Sequence, residues 1–141
     1  MSFERAIEFV LKHEGGYVDN PADPGGETRF GISKKTYPAL DIRNLTIEAA
    51  KEIYRRDYWQ KSGCEALEWP LSLVVMDSAV NCGVARAVEW KAEYLNWTDI
   101  LFARIAFYNG LKKPMFLPGW INRVIDLWRT AKDSEHPLSG T

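Results

Sequence analysis

At 141 residues and a net charge of −1, the chain has the size of one domain with a real core and offers no basic footprint for nucleic acid. Apolar residues make up 46% and charged residues 26%, an ordinary globular balance that excludes a disordered chain. No apolar run approaches the ~20 residues of a membrane helix, so no stable membrane insertion is expected.

Two cysteines and two histidines are too few for a disulfide framework or a His-rich metal site, so no cofactor and no metal is expected. Cys64 and Cys82 are expected to be small buried hydrophobes, and His13 a surface residue or one standing behind a site. The stretch Phe3 to Leu11 is broken by Glu4, Arg5 and Glu8 and does not read as a secretory signal. The expected location is therefore the cytoplasm, with reduced thiols, and a monomer is expected. Aromatics reach 13%, with six Trp, most of them expected in the core and some along a groove.

In chain order, Phe3, Ala6, Ile7, Val10 and Leu11 follow helical spacing, with Ser2 as a possible cap. Glu14 continues that spacing and should lie on or beside the apolar face, where loss of water favours the neutral carboxyl and raises its pKa. Gly15 and Gly16 end this helix. The following stretch to Ile32 is rich in Gly and Pro, which marks a loop or a small hairpin within 17–32. Ser33 predicts a short helix to about Leu40, and Thr46 caps a better one through Gln60, with Ile47, Ala50, Ile53, Tyr54 and Tyr58 on one face. Pro70 to Asn81 is almost unbroken apolar sequence; the proline before it and Asn81-Cys82-Gly83 after it favour a central buried helix over a strand.

Val84 to Trp97 predicts another helix. Thr98 caps the next, with Leu101, Phe102, Ile105 and Tyr108 inward and Gly110 beyond it. Gly119 to about Ala131 closes the fold, with Ile121, Val124, Ile125 and Trp128 inward, and residues 133–141 form a polar tail. The expected class is all-α, a single helical domain.

The chemistry centres on Glu14 to Gly31. A long polar loop in a compact domain usually has a use, and Glu14 stands where a rigid helix hands over to it. Glycosidic bonds are usually cut by one acid that protonates the leaving oxygen and a second carboxylate that activates water or attacks carbon. Glu14 is placed for the first role, because partial burial can keep an acid protonated. Asp19, Asp23 and Glu27 lie on the loop behind it. Asp19 and Glu27 read as turn formers, Asp23 equally well as turn former or second carboxylate, and Thr28 could orient a water. Asp77 and Asn81, one helical turn apart in an apolar run, need polar partners; either they face the cleft or they bond local backbone.

The sequence EGGYVDNPADPGGETRFGIS, followed by a helix ending RRDYW, resembles glycoside hydrolase family 108, bacteriophage and bacterial N-acetylmuramidases that cut peptidoglycan. The resemblance continues through MDSAVNCG and RIAFYNGL…FLPGWINRV, nearly the whole chain. It implies a lysozyme-like fold over about 1–132, with a catalytic part at about 1–83 and a helical C-terminal part at about 84–132. It also implies Glu14 as catalytic acid on peptidoglycan glycan strands. A more distant likeness to phage-type lysozymes, which place Glu, Asp and Thr ahead of a Gly-Ile pair, adds Asp23 and Thr28 as partners. Tyr17, Asp77 and Asn81 are the candidate substrate-binding residues. Family members often carry, after the match to Asn81…Gly83, a longer peptidoglycan-binding segment. Here Ala85 to Asn96 passes almost directly into the next helix, so that half is expected to be scaffold and cleft wall.

Two other functions fit the same residues. A lytic transglycosylase would need only Glu14, and a non-catalytic wall-binding or secretion-associated protein would keep the fold alone. A muramidase without a signal would act on the wall after release, with a separate membrane-permeabilising protein as partner.

Overall fold

The structure is a computed structural model and describes residues 2–21 and 25–135, so Asp23 lies outside the described residues. Helix α3, Leu71–Cys82, is the hub: the run Ser72 to Ala79 and Cys82 are all buried. A helix buried on every side must be apolar on every side, which is why its sequence shows no amphipathic stripe. Around it pack α1 (Ser2–His13), α4 (Val84–Glu93), α5 (Trp97–Leu111) and α6 (Leu117–Glu135). Gly83, at φ 99°, makes the corner between α3 and α4 in a conformation that disfavours any side chain.

Helix α1 buries Phe3, Ala6, Ile7, Phe9 and Val10. It starts at Ser2 itself, so Ser2 is its first residue and not a cap outside it. Helix α2, Ile47–Tyr54, is capped as expected: the Thr46 hydroxyl accepts the Ala49 amide at 3.1 Å. The following six residues, Arg55–Gln60, are wound as a π-helix. The wider turn shifts the inward stripe to a five-residue step, Tyr54 to Trp59, and so buries Trp59 at 1% exposure, while Ile47 is left exposed.

The small β region exceeds the expected hairpin by one strand. Strands β1 (Val18–Asp19), β2 (Glu27–Arg29) and β3 (Ile32–Ser33) form an antiparallel sheet in the order β1-β2-β3, with Val18 opposite Thr28 and Arg29 opposite Ile32. Phe30 and Gly31 connect β2 to β3, both at positive φ, 53° and 80°, the geometry a two-residue hairpin turn demands. Ser33 starts only a turn, through its hydroxyl and the Thr36 amide at 3.2 Å. A single backbone bond from the Tyr37 amide to the Ser33 carbonyl at 3.0 Å is made, and with Pro38 next in the chain no helix follows before Ile42.

Helix α4 stops at Glu93. Asn96, not Thr98, caps α5, its side chain accepting the Thr98 amide at 2.8 Å; Gly110 lies inside that helix and Lys112 closes it at φ 54°. Two inward faces also differ from expectation. On α5 Phe102 is turned outward at 65% exposure while Arg104 is fully buried, and on α6 Arg123, Val124, Leu127 and Ala131 face the core while Ile125 and Trp128 do not. The cause is electrostatic: both arginines are drawn inward by Asp77, and each helix is rotated to deliver its guanidinium. Among the described residues no helix is long and apolar enough to cross a membrane.

Candidate active site

Glu14 follows directly on α1, its amide still bonded to the Val10 carbonyl at 2.9 Å. The last turn of α1 is fixed to α6 by His13 and Lys12, which meet the Asp126 carboxylate at 2.6 and 2.7 Å. That pairing gives His13 its role: it locks the helix end from which Glu14 projects.

The Glu14 side chain is 23% exposed, and its Oε1 accepts a hydrogen bond from Arg123 Nη1 at 2.8 Å. The same guanidinium reaches Asp77 through Nε and through Nη2, the latter at 2.7 Å from Oδ1. Asp77 Oδ2 takes Arg104 Nη2 at 2.8 Å, Arg104 Nη1 donates to the Ser78 hydroxyl and Arg104 Nε to the Tyr108 hydroxyl, and Tyr108 donates in turn to Asn81 Oδ1. Two carboxylates and two guanidiniums therefore alternate along one chain of hydrogen bonds that starts at Glu14 and ends at half-buried Asn81. Burial alone would push the Asp77 carboxyl up. The two arginines overcome it and hold the group below the usual carboxylate range, so Asp77 stays ionised.

Asp77 thus cannot touch a sugar. It is fully buried with both oxygens occupied, and the expectation of a direct substrate contact is corrected to a place behind Glu14, where it fixes Arg123. Asn81 is likewise tied to its network, by the Tyr108 hydroxyl, but is part-exposed at the end of it.

The β2–β3 turn closes over Glu14. The Phe30 amide donates to the Gly15 carbonyl at 3.1 Å, and the buried Tyr54 hydroxyl donates to the Phe30 carbonyl at 2.6 Å. Burial raises the Tyr54 pKa and the nearby Glu14 charge adds to it, so Tyr54 remains a neutral donor. A Cβ placed on Gly31 would lie 2.5 Å from the Tyr54 hydroxyl and 2.9 Å from both Cγ and Oε2 of Glu14. Gly31→Ala is accordingly expected to be unfavourable twice, through the left-handed backbone and through the clash, and to lower stability by about 1–3 kcal/mol. Activity should fall further than stability explains, because the clash displaces the Glu14 carboxylate; equal melting temperatures and equal rates would contradict this placement.

Thr28 and Val18 share one face of the sheet. Tyr17, Glu27 and Arg29 hold together otherwise: the Tyr17 hydroxyl donates to Glu27 Oε2 at 2.5 Å, Arg29 lies over the Tyr17 ring at 5.0 Å, and Arg29 Nε reaches the Ile42 carbonyl. Tyr17, expected at the substrate, has its hydroxyl engaged by Glu27, and Glu27 serves as scaffold. No group of His, Cys, Asp and Glu that could hold a metal occurs among the described residues.

A helical fold with a partly exposed acid at the end of its first helix, beside a small β turn, is a lysozyme-like fold. Residues 7–83 match the sequence profile of the family described as Glycosyl hydrolase 108, more than half of the chain, and the protein belongs to that family. It is therefore a glycoside hydrolase of the peptidoglycan-degrading kind. The structure is similar to that of SagA from Brucella abortus, with a TM-score of 0.83 and 27% identity over 99% of this chain and 98% of that one. Comparison with curated proteins gives no match.

Proposed function

We propose that the protein is an N-acetylmuramidase that hydrolyses the β-1,4 bond between N-acetylmuramic acid and N-acetylglucosamine, with Glu14 as general acid. The observation that carries this is Glu14 itself: one carboxylate oxygen is anchored by Arg123 and the other stands at the Gly31 turn, on a side chain that still reaches solvent. Protonated Glu14 gives its proton to the glycosidic oxygen as the C1–O bond breaks, and a water then supplies hydroxide to C1 and its remaining proton to a base. Asp77 is the second partner of the same guanidinium: Arg123 keeps its bonds to an ionised carboxylate whatever happens at Glu14 and is not left as an uncompensated cation.

Thr28 is proposed to orient the water and Asp23 to be the second carboxylate, on the strength of the order Glu14, Asp23, Thr28 in the chain. The test is product analysis of purified peptidoglycan by mass spectrometry. Reducing N-acetylmuramic acid ends are expected. Reducing N-acetylglucosamine ends would move the cut to the other bond, and 1,6-anhydro ends would make the enzyme a lytic transglycosylase.

A further inference from the structure

Beside the acid lies a groove that the catalytic residues do not use. It is bordered by Tyr37, Asp57, Tyr58 and Lys61 on one side and by Gly83 and the start of α4 on the other, with a volume of about 670 Å³, inside the ~300–1,000 Å³ span of small-ligand sites. Its polar groups are already ordered. The Tyr37 hydroxyl donates to Asp57 Oδ2 at 2.6 Å, and Arg56 donates to both Asp57 oxygens at 2.8 and 2.9 Å. Asp57 is thereby kept ionised, its pKa drawn down to about 2 first by Arg56, against burial and with help from Tyr37.

The groove neighbours the acid across one buried side chain, Tyr54. The Tyr58 ring packs on Tyr54 at 5.4 Å, Tyr54 reaches the turn over Glu14, and Tyr58 is close enough to Glu14 to feel its charge. The opposite wall is open, since a Cβ on Gly83 would meet nothing within 4 Å. Two tyrosine rings and a fixed carboxylate are the groups that recognise a pyranose, with its apolar C–H face and its ring of hydroxyl and amide donors.

We infer that this groove is a glycan subsite that holds an N-acetylhexosamine unit next to the bond presented to Glu14, with Tyr37 and Tyr58 as its apolar wall and Asp57 as acceptor for the sugar's donors. The inference rests on the muramidase reading for its substrate class, but its test does not require cleavage. In the Glu14→Gln protein, titration with tetra-N-acetylchitotetraose followed by amide NMR shifts should give saturable changes at Tyr37, at 57–61 and at 83–85. Asp57→Asn should weaken that binding about tenfold, the loss of one charge-assisted hydrogen bond. Tyr58→Leu should weaken it as well, and Phe102→Ala, on the far groove between α5 and α6, should not.

The Asp57→Asn change is at a part-exposed site, so its folding can be verified by the dispersion of the same spectra. No shifts in the groove, or affinity unchanged by Asp57→Asn in the folded protein, would overturn the subsite. A wild-type protein that cuts walls while the groove stays silent would overturn it alone. Groove shifts in a protein that cuts nothing would uphold it and remove the muramidase reading.

Discussion

Glu14→Gln is expected to fold as the wild type does and to lose about 10²–10⁴-fold in rate, the range for a positioned general acid. The amide oxygen of the glutamine can still accept from Arg123 Nη1, so the anchor at 2.8 Å is kept while the transferable proton is lost. The remaining carboxamide group occupies the space beside Gly31 that the carboxylate fills now. Clearing of purified cell walls, measured by turbidity, gives the rate, and a thermal melt gives the fold. A variant that melts normally and clears walls at near wild-type speed would remove Glu14 from the mechanism. One that melts far lower would show the residue to be structural first.

The largest effect on stability is expected at Asp77. Asp77→Asn leaves Arg104, fully buried, with no ionic partner and Arg123 with Glu14 alone. Breaking a buried pair from one side costs about 3–5 kcal/mol, because the surviving charge remains desolvated. The effect carries a pH signature. The folded Asp77 carboxyl titrates below its ordinary value, so the unfolded chain binds the proton more readily. Its contribution is complete above about pH 4, the unfolded value, and is lost as pH falls further toward the folded one. Denaturant unfolding at pH 7 and pH 3 should show a wild-type protein that weakens in acid, and a variant that is already weak at pH 7 with a shallower acid limb. A loss under about 1 kcal/mol at pH 7 would mean that the network does not hold the two helices.

Much of this was readable from residue order, because local rules dominate where local forces dominate. The unbroken apolar run marks the central helix, the Gly-Gly pair the end of the first, and the surplus of Gly and Pro the small β region. Glu14 was legible because it stood on an apolar spacing just ahead of that loop. Asp77 and Asn81 were legible as polar residues in an apolar run, but their direction was not. The partners that give Asp77 its direction, Arg104 and Arg123, lie 27 and 46 residues away in helices that look ordinary.

A signal was present. Arg104 shares the stripe of Leu101 and Tyr108, and Arg123 that of Leu127 and Ala131, so each is a charge on a buried face that needs a counter-charge. Without that inference apolar spacing alone rotates α5 and α6 from their true phase and places Phe102, Ile125 and Trp128 inward. The π-wound turn at 55–60 was invisible for another reason: no residue type demands it, and only the packing of Trp59 shows it.

The position of Arg123 also bears on how this protein can be divided. The residues that mark the family end at Gly83, yet the acid they contain is held by a side chain forty residues further along. The C-terminal helices are therefore no detachable attachment module. A fragment ending at Gly83 would carry Glu14 and Asp77 as two acids with no guanidinium between them. Exchange of the C-terminal part between relatives would preserve the active centre only where the donor supplies arginines at both places and helices in the same phase. The unit that can be inherited, shuffled or trimmed is the whole helical body, because its electrostatic balance closes only when both halves are present.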